Sequence, residues 1–421
     1  MNDLTLGQRI AHHRRRRGLS QVKLAELLNR SESWVSQVER GTRTIDRLSV
    51  LGEVARVLDV PANELLPGSF LPSDGDREHP SVRAVRLALS GHPALAVLLD
   101  SSPDAISRSA DAITELLGRL EEAPTDPAEL DARAEEAWNL AHASRFTDLG
   151  ELLLVLIPQA ELAAHRLAGK PQQAAFAALA RIYQAAAAIM AKLRETDIAW
   201  VAAERAIAAA ERSGDPLLAA VGDFRLAHVF LSGDQLSQAE RVVNVATAAL
   251  APRVRDDSPS PLLSVWGALH LVGAVVASRQ ERPETALANM RRAQEAADRL
   301  GEDRDDFGTE FGPTNVALHA VAVAVELGDA GTALRRAAAI DPSGLSTERR
   351  ARFLVDVARA HHQRRQGREV LQRLQEAYDL TPEQVEGHPD VREMVRDLVQ
   401  DEGQRIDPDL RRLAQRVAVL P

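Results

Sequence analysis

Small or β-branched residues recur at three fixed positions in five successive segments of the chain. The central position follows a turn in each segment and holds Ala203, Ala239, Ala286, Ala333 and Val370. The position twelve residues earlier holds Ala191, Ala227, Ala274, Val321 and Ala358. The position seven residues later holds Ala210, Ala246, Ala293, Ile340 and Ala377. The apolar residues between them have helical spacing, so each segment is expected to form two antiparallel helices packed closely through these small side chains.

The spacing of these segments is that of a repeat protein. Successive central positions lie 36, 47, 47 and 37 residues apart, and helical-hairpin repeats have a period of about 34 residues. Insertions at 252–261 and 301–313 account for the two longer intervals, and a degenerate hairpin at 132–165 is expected to begin the stack. The pattern resembles tetratricopeptide repeats, a resemblance that implies an α-solenoid with a concave binding surface.

Near the N-terminus, two short helices joined by a tight turn are predicted at residues 20–41. Ser20 and Ser31 are suitable N-caps, and Leu24, Leu27 and Leu28 share one face of the first helix. Val35 and Val38 form the apolar stripe of the second helix. Its other face then presents hydrogen-bonding groups outward, as entry into a DNA major groove requires.

Residues 6–66 resemble a helix-turn-helix domain of the phage-repressor (Cro/C1, or Xre) family. The matching residues are Ser20, Gln21, Leu24, Ala25, Ser36, Val38, Glu39, Arg40, Gly41, Leu58, Asp59, Val60, Glu64, Leu65 and Leu66. One departure is the turn, which has Asn29-Arg30 where the family usually carries Gly. The resemblance implies a five-helix DNA-binding head, with further helices at 6–17, 47–58 and 62–66.

The same resemblance implies roles for individual side chains of the head. Base contacts are expected from Glu32, Ser33, Gln37 and Trp34. Phosphate contacts are expected from Gln21, Ser31, Arg40, Arg43 and Arg47. Trp34 has a second interpretation, packing against the first helix. The arginines at 14–17 either contact phosphates or complement the helix dipole, and Glu39 is expected to pair with an arginine of the head.

Charge is distributed unevenly. Residues 1–67 contain eleven basic and eight acidic side chains, a net charge of +3, which leaves −13 for the rest of a chain whose total is −10. A basic head on an acidic body favours DNA binding at the N-terminus. The absence of cysteine, of a signal-peptide pattern and of an apolar stretch long enough to span a bilayer predicts a cytoplasmic protein without membrane contact.

The first helix of each hairpin is expected to line the concave surface of the solenoid. Polar or large candidates for ligand contact are Phe224, His228, Trp266, His270, Asn315, His319, Arg359 and His362, each with the alternative of an ordinary helix contact. Phe311 is a further candidate, because residues 307–313 contain two Phe, two Gly and a Pro. Long loops of this kind are often functional, and this one is expected to fold back onto the concave face.

Sequence motifs of catalysis are missing. Neither an H-E-x-x-H metal motif nor a phosphate-binding glycine loop nor a G-x-S-x-G elbow occurs. The adjacent pairs His12-His13 and His361-His362 point to different sides of a helix and cannot share one ion. The sequence therefore predicts a protein that is not an enzyme and that binds neither a metal ion nor a cofactor.

The sequence thus predicts an all-α protein: a five-helix head (1–67), a linker (68–80), a connecting or dimerisation segment (81–130) and a repeat domain (131–421). The leading hypothesis is a transcriptional regulator that reads a double-stranded DNA operator, senses a short peptide or small molecule in the repeat groove, and forms a homodimer. This architecture is similar to peptide-sensing regulators of the Rgg/PlcR kind. The alternative is a scaffold whose repeats bind a protein partner while the head only localises it to DNA.

Overall fold

The computed structural model describes residues 6–17, 19–28, 30–40, 54, 57–58, 79–90, 126–402 and 406–420. The chain divides into two compact units, Met1–Glu78 and His79–Pro421. Throughout the described ranges the secondary structure is helical, and the one β-type pairing there is an isolated bridge between Arg304 and Phe311. The prediction of an all-α protein is confirmed.

The head contains three described helices: α1 (Leu6–Arg16), α2 (Gln21–Leu27) and α3 (Glu32–Glu39). Both predicted serine caps form. Ser20 Oγ accepts a hydrogen bond from Lys23 N at 3.0 Å, and Ser31 Oγ accepts one from Trp34 N at 3.1 Å. The helices enclose a core of Ile10, Leu24, Ala25, Leu28, Val35, Val38, Val54, Val57 and Leu58.

The apolar face of α2 is narrower than its leucine spacing predicts. The three leucines are predicted to share one apolar face, but the side chain of Leu27 is 48% exposed, whereas Leu24 and Leu28 are buried in the core of the head. The predicted helices at 47–58 and 62–66 fall outside the described residues, except for Val54, Val57 and Leu58, which are buried in the same core.

The second unit begins with α4 (Pro80–Ser90), α5 (Pro127–His142) and α6 (Phe146–Arg166). The hairpins that follow are built from α7 (Gly169–Lys192), α8 (Thr196–Ser213), α9 (Pro216–Ser232), α10 (Leu236–Leu250), α11 (Ser260–Arg279), α12 (Pro283–Leu300), α13 (Pro313–Glu326), α14 (Ala330–Ala337), α15 (Thr347–Gln363) and α16 (Gly367–Leu380). Three shorter helices end the unit: α17 (Pro382–Glu386), α18 (Pro389–Glu402) and α19 (Pro408–Arg416). Helix α4 packs on α6, so the start of the predicted connecting segment lies within this unit.

The hairpins stack as tetratricopeptide-like repeats. The odd-numbered helices from α7 to α15 pack on one another in succession, and each also packs on its own hairpin partner, so these five helices form an inner layer. All five central small residues are fully buried. The predicted solenoid of helical hairpins is confirmed.

One position of the repeat register departs from the prediction. Ile340 is only partly buried and lies outside any helix, because α14 ends at Ala337. The outer helix of this hairpin has eight residues, whereas α8, α10, α12 and α16 have fourteen to eighteen. The sequence Asp341-Pro342 follows closely. The helical conformation is disfavoured for the residue before a proline, so the helix cannot extend through Asp341.

The inner layer closes on itself. Helix α5 packs against α7 and also against α15, although more than two hundred residues separate α5 from α15. Glu383 of α17 completes the closure. Its carboxylate accepts hydrogen bonds from the backbone N–H groups of Phe146 and Thr147, at 3.0 and 3.3 Å, which cap the start of α6. The six inner helices α5, α7, α9, α11, α13 and α15 are called the inner ring below.

Two inner-ring helices, α7 and α11, are long and apolar enough to cross a membrane by composition alone. Their most apolar windows are 78% and 83% buried within the unit. Burial of this extent is what core helices of a repeat protein show.

Candidate functional site

Helix α3 of the head presents polar side chains on its outer face. Glu32 and Ser33 are exposed, and Gln37 is half-buried with its amide nitrogen 3.4 Å from Ser33 Oγ. Trp34 is also half-buried and packs against the apolar core of the head, while the guanidinium of Arg30 lies 5.8 Å from its ring centre. The packing interpretation of Trp34 therefore describes its position in this structure.

A buried ion pair fixes α3 across the other two helices. Arg14 Nε donates to Glu39 Oε1 at 2.6 Å, and Arg14 Nη1 donates to the carbonyl of Leu19 at 2.7 Å. Gln21 Nε2 donates to the other oxygen of Glu39 at 2.7 Å. Burial by itself raises the pKa of Glu39, but the hydrogen bonds from Arg14 and Gln21 outweigh burial and hold the pKa below its ordinary value. The expected pairing of Glu39 with an arginine of the head is present.

The side chains predicted to contact phosphates occupy different environments. Arg40 is exposed, whereas the hydroxyl of Ser31 caps α3 and the amide of Gln21 is bound to Glu39. Arg43 and Arg47 lie outside the described residues. Of the arginine run at 14–17, Arg14 is part of the core pair and Arg17 donates to the carbonyl of Val57, so these two side chains hold the head together.

The inner ring of the second unit surrounds a cavity of about 250 Å³. Each of its six helices contributes to the wall, with Trp138 from α5, Ala191 from α7 and Phe224 from α9 as examples. Helices α11, α13 and α15 supply further lining residues, and α17 and the start of α18 add a few. No lining residue among those described comes from the outer helices α6, α8, α10, α12, α14 and α16. The expectation that first helices line the concave surface is confirmed in the structure.

The wall of the cavity is highly charged. Its basic side chains are Lys192, Arg194, Arg225, Arg279, Arg349, Arg352 and Arg359, and its acidic side chains are Glu310, Glu326, Glu348, Asp356 and Asp390. Most of these form ion pairs, either within α15 or between different elements of the unit. Arg349 Nε lies 3.1 Å from Glu310 Oε2, and Lys192 Nζ lies 3.3 Å from Glu348 Oε1. Burial opposes the ionised form of Glu348, but Lys192 and Arg349 overcome this effect and lower its pKa to about 2.

Arg225 is bound differently from the other cations. Its guanidinium carbon lies 4.4 Å from the ring centre of Trp138 and 4.8 Å from that of Phe224. Its Nη2 donates to the carbonyl of Gly308 at 2.7 Å, and no ion pair to a carboxylate forms within the described part of the chain. Burial, together with the charge of Arg349, lowers the pKa of Arg225 to about 9, so the side chain is still a cation at neutral pH.

Three histidines on the cavity wall are held neutral by burial and by nearby arginines. Burial first, and then the charge of Arg349, lowers the pKa of His319 to about 3. Burial and Arg352 lower the pKa of His388 to about 4. The pKa of His228 is also well below its ordinary value, because of burial and Arg225. These three histidines therefore add no positive charge to the wall at neutral pH.

The crossover loop, residues 301–312, folds against the inner ring. Gly308 has a φ of +69° and contacts Trp138 so closely that an added Cβ would lie 2.8 Å from the indole ring. Phe311 is fully buried against α11, where Gly267 leaves the space for its ring. Thr309 O accepts a hydrogen bond from Arg349 at 3.0 Å. The loop thus connects α5, α9, α11 and α15, and the prediction that it folds back onto the concave face is confirmed.

Comparison with known proteins identifies the N-terminal unit. The family described as "Helix-turn-helix domain" matches residues 5–66. Residues 5–66 of this chain are therefore similar to helix-turn-helix domains. The HTH-type transcriptional regulators SinR of Bacillus subtilis (strain 168) and of Bacillus licheniformis are each 38% identical to this chain over 61 residues, which is 14% of this chain and 55% of the relative. The chain therefore matches about half the length of these relatives.

A solved structure is similar over a longer part of the chain. The crystal structure of Bacillus thuringiensis PlcR in complex with the peptide PapR7 and DNA is matched over 70% of this chain and 95% of that chain. The sequence identity is 16% and the TM-score is 0.29. A score this low does not establish a common overall arrangement, and the architecture described above rests on the contacts within this chain.

Five of the nine predicted ligand-contacting residues line the cavity: Phe224, His228, Asn315, His319 and Arg359. The other four do not. Phe311 is buried in the core, and His362 lies 3.1 Å from Asp397 of α18. His270 is buried and its Nδ1 lies 2.8 Å from Asn289 Oδ1 on α12, while Trp266 packs edge-on against His270. Because these four side chains pack in the core or against other helices, they do not line the cavity.

Several wall residues are not apparent from the sequence pattern. Trp138, His142, Lys192, Arg225, Glu348 and Arg349 all belong to this group. The sequence predicts only a degenerate hairpin around α5, without the small residues that mark the other repeats. It therefore gives no reason to place Trp138 beside the later helices. For Arg225 a signal does exist: it follows Phe224 within an apolar helix, where a charged side chain needs a special environment.

Proposed function

We propose that this protein is a one-component transcriptional regulator that binds an operator through its helix-turn-helix domain and a ligand through the cavity of its inner ring. The observation that carries the DNA-binding half is the geometry of α3. A buried ion pair anchors the helix, and Glu32, Ser33 and Gln37 remain on its outer face. Gln37 can pair with adenine and Glu32 with a cytosine amino group in the major groove.

The size and chemistry of the cavity support a sensing role for the second unit. A volume of about 250 Å³ lies just below the range of roughly 300–1,000 Å³ typical of small-molecule sites. It suits a small molecule or a peptide of a few residues. An α-helix of a protein partner, about 10 Å across with its side chains, would not fit, so the cavity favours a sensor over a protein-binding scaffold.

Dimerisation and location complete the proposal. A single small DNA-binding head contributes too little contact for tight specific binding, whereas two heads can bind half-sites about one helical turn apart. We therefore expect a homodimer acting in the cytoplasm. Ligand binding then shifts the equilibrium between arrangements of the two heads, provided that the ligand binds these arrangements with different affinity.

DNA binding can be tested with duplexes of random sequence. Full-length protein is used to select duplexes from the random pool, and the affinity for the selected sequence is measured by fluorescence anisotropy. Gln37→Ala should weaken binding by about tenfold, the effect of one lost bidentate base contact, and relax the preference at one base pair. Gln173→Ala, an exposed glutamine on α7, is the matched control. Unchanged affinity and base preference in Gln37→Ala would show that α3 is not the reading helix.

A further inference from the structure

The cavity wall has donors without acceptors. Trp138 is 4% exposed and Arg225 is 8% exposed, and both line the cavity. The indole Nε1 of Trp138 and the Nε of Arg225 are buried without a hydrogen-bond partner. Leaving a buried donor unpaired is costly, and more so for a charged group. Two such donors on stacked side chains indicate a place where a ligand supplies the acceptor.

The stacking of Arg225 determines which acceptor fits. Trp138 and Phe224 lie close to the guanidinium, and a carbonyl of the crossover loop accepts from Nη2. Hydrogen bonds to a guanidinium lie in its plane, and a carboxylate can accept two parallel N–H bonds there. The neighbouring indole offers a further N–H to the same oxygen-bearing group.

The charge of the wall points the same way. Residues 68–421 carry a net charge of −13, yet the cavity within this acidic region has seven cationic and five carboxylate side chains. Lys192 and Arg349 pair directly with carboxylates of the wall, and Arg194 and Arg279 pair with Asp234. Arg225 forms no direct ion pair among the described residues, although the charges of Asp305, Glu310 and Glu348 act on it from farther away. A buried cation without a directly paired carboxylate is a strong reason for a protein to bind one.

We propose that the cavity binds a small carboxylic acid whose carboxylate is held by Arg225 and by the indole N–H of Trp138. This inference rests on the proposed sensing role of the inner ring and names the chemistry of its ligand. The carboxylate belongs either to a free organic acid or to the C-terminus of a short peptide. Phe224 and the methyl-bearing side chains of α7 and α11 provide the apolar side of the same cavity.

The test uses full-length protein, isothermal titration calorimetry and two matched pairs of probes. The first pair is phenylacetate and phenylacetamide, and the second is the tripeptide Ala-Ala-Phe with a free C-terminus and with a C-terminal amide. Inorganic phosphate is added as a further anion that carries no carboxylate. We expect at least one free carboxylate to bind at least about tenfold more tightly than its amide, since a charge-assisted hydrogen bond of this kind is worth a factor of ten or more. Binding of phenylacetate alone identifies a free acid as the source, and binding of the tripeptide alone identifies a peptide terminus.

Variants locate the binding. Arg225→Gln should weaken carboxylate binding by at least about tenfold and Trp138→Phe, which keeps an aromatic ring, by about threefold to tenfold. Arg241→Gln is the control, because Arg241 is exposed on the outer helix α10 and does not line the cavity. Circular dichroism checks that each variant is folded. If Arg225→Gln does not fold, Trp138→Phe carries the test.

The outcomes separate this inference from the proposed DNA binding. The inference is overturned if neither free carboxylate binds, if acids and amides bind equally, if only phosphate binds, or if the Arg225 and Trp138 variants bind as well as wild type. DNA affinity of the same samples, measured by anisotropy, is independent of these results. A wild-type protein that selects no operator contradicts the proposed regulator, whereas a wild-type protein that binds an operator but neither carboxylate contradicts only the chemistry of the ligand.

Discussion

The two units of this protein use buried charge in opposite ways. In the head, Arg14 and Glu39 satisfy each other and Gln21 completes the pair, so the polar groups of α3 remain outside. In the inner ring, charged side chains point inward, and Arg225 and Trp138 keep donors without partners. A hydrogen-bond network in which every buried group has a partner fixes the positions of the helices. A network with unpaired donors can instead bind a ligand that supplies the acceptors. The pairing of buried charges, more than their number, therefore distinguishes an element that stabilises the fold from a binding site.

The largest effect is expected where the closed network of the head is broken. Glu39→Ala leaves Arg14 buried without a counterion, which should cost about 3–5 kcal/mol of head stability. Hydrogen-exchange mass spectrometry of the full-length protein should show faster exchange in α1–α3 and unchanged exchange in the inner ring. Glu32→Ala, which removes an exposed carboxylate from the same helix, is the control. Equal protection of α1–α3 in Glu39→Ala and wild type would mean that the pair does not hold the head together.

A steric substitution tests whether the crossover loop belongs to the ring. A Cβ on Gly267 would lie 1.9 Å from Cζ of Phe311, so Gly267→Ala should displace the buried ring and cost about 1–3 kcal/mol by overpacking. Thermal unfolding and hydrogen exchange of residues 301–312 measure the change. Gly331→Ala, with no contact closer than 3.5 Å, should be neutral or slightly stabilising. If both variants behave alike, the packing of Phe311 against α11 contributes nothing to the position of the loop.

Acid should destabilise the ring through its neutral histidines. The pKa of His319 is about 3 in the folded protein, against an ordinary value of 6.5, so below pH 6.5 the unfolded chain binds a proton that the folded chain does not. Stability is therefore complete above pH 6.5 and falls as the pH is lowered towards 3. Between pH 7 and 5 the loss should be at most about 2 kcal/mol for this residue.

Urea unfolding at several pH values measures this dependence. His319→Gln should reduce the slope of stability against pH, while Gln173→Ala, at an exposed position on α7 without a titratable side chain, should leave it unchanged. His228 and His388 contribute to the wild-type slope in the same direction. A slope identical in wild type and His319→Gln would contradict the burial of a neutral imidazole at this position.

The smallest effect is expected at the closure of the ring. Glu383→Ala removes the cap from the backbone N–H groups of Phe146 and Thr147 and should cost about 0.5–2 kcal/mol, the value of a lost N-cap. Hydrogen exchange at the start of α6 should increase. The control is Glu393→Ala, which removes an exposed carboxylate from α18. Unaltered exchange at Phe146 and Thr147 would show that Glu383 does not secure the closure.

Local regularities allowed much of the fold to be predicted from sequence. All five central small residues of the hairpins are fully buried, since only small side chains permit the close approach of two helices at that point. The caps Ser20 and Ser31 and the buried Val35 and Val38 follow from spacing within a few residues. These features depend on neighbours along the chain, which the sequence displays directly.

The cavity could be predicted only in part, because it depends on the rotation of each inner helix. On α11 the wall residues are Val272, Val275 and Arg279, and His270 lies about 200° around the helix from Val272. His270 therefore faces α12, although periodicity alone gives it the same status as His228. The contact of Glu383 with Phe146 joins residues 237 positions apart, and no local pattern announces it.

Closure of the inner ring has a mechanical consequence. An open stack of repeats can lose its end units one at a time, because each unit depends only on its immediate neighbours. Here α5 touches both α7 and α15, so the first and last inner helices support one another. A closed ring of helices cannot open between two neighbours without displacing the others. A ligand that widens the cavity would therefore move all six inner helices.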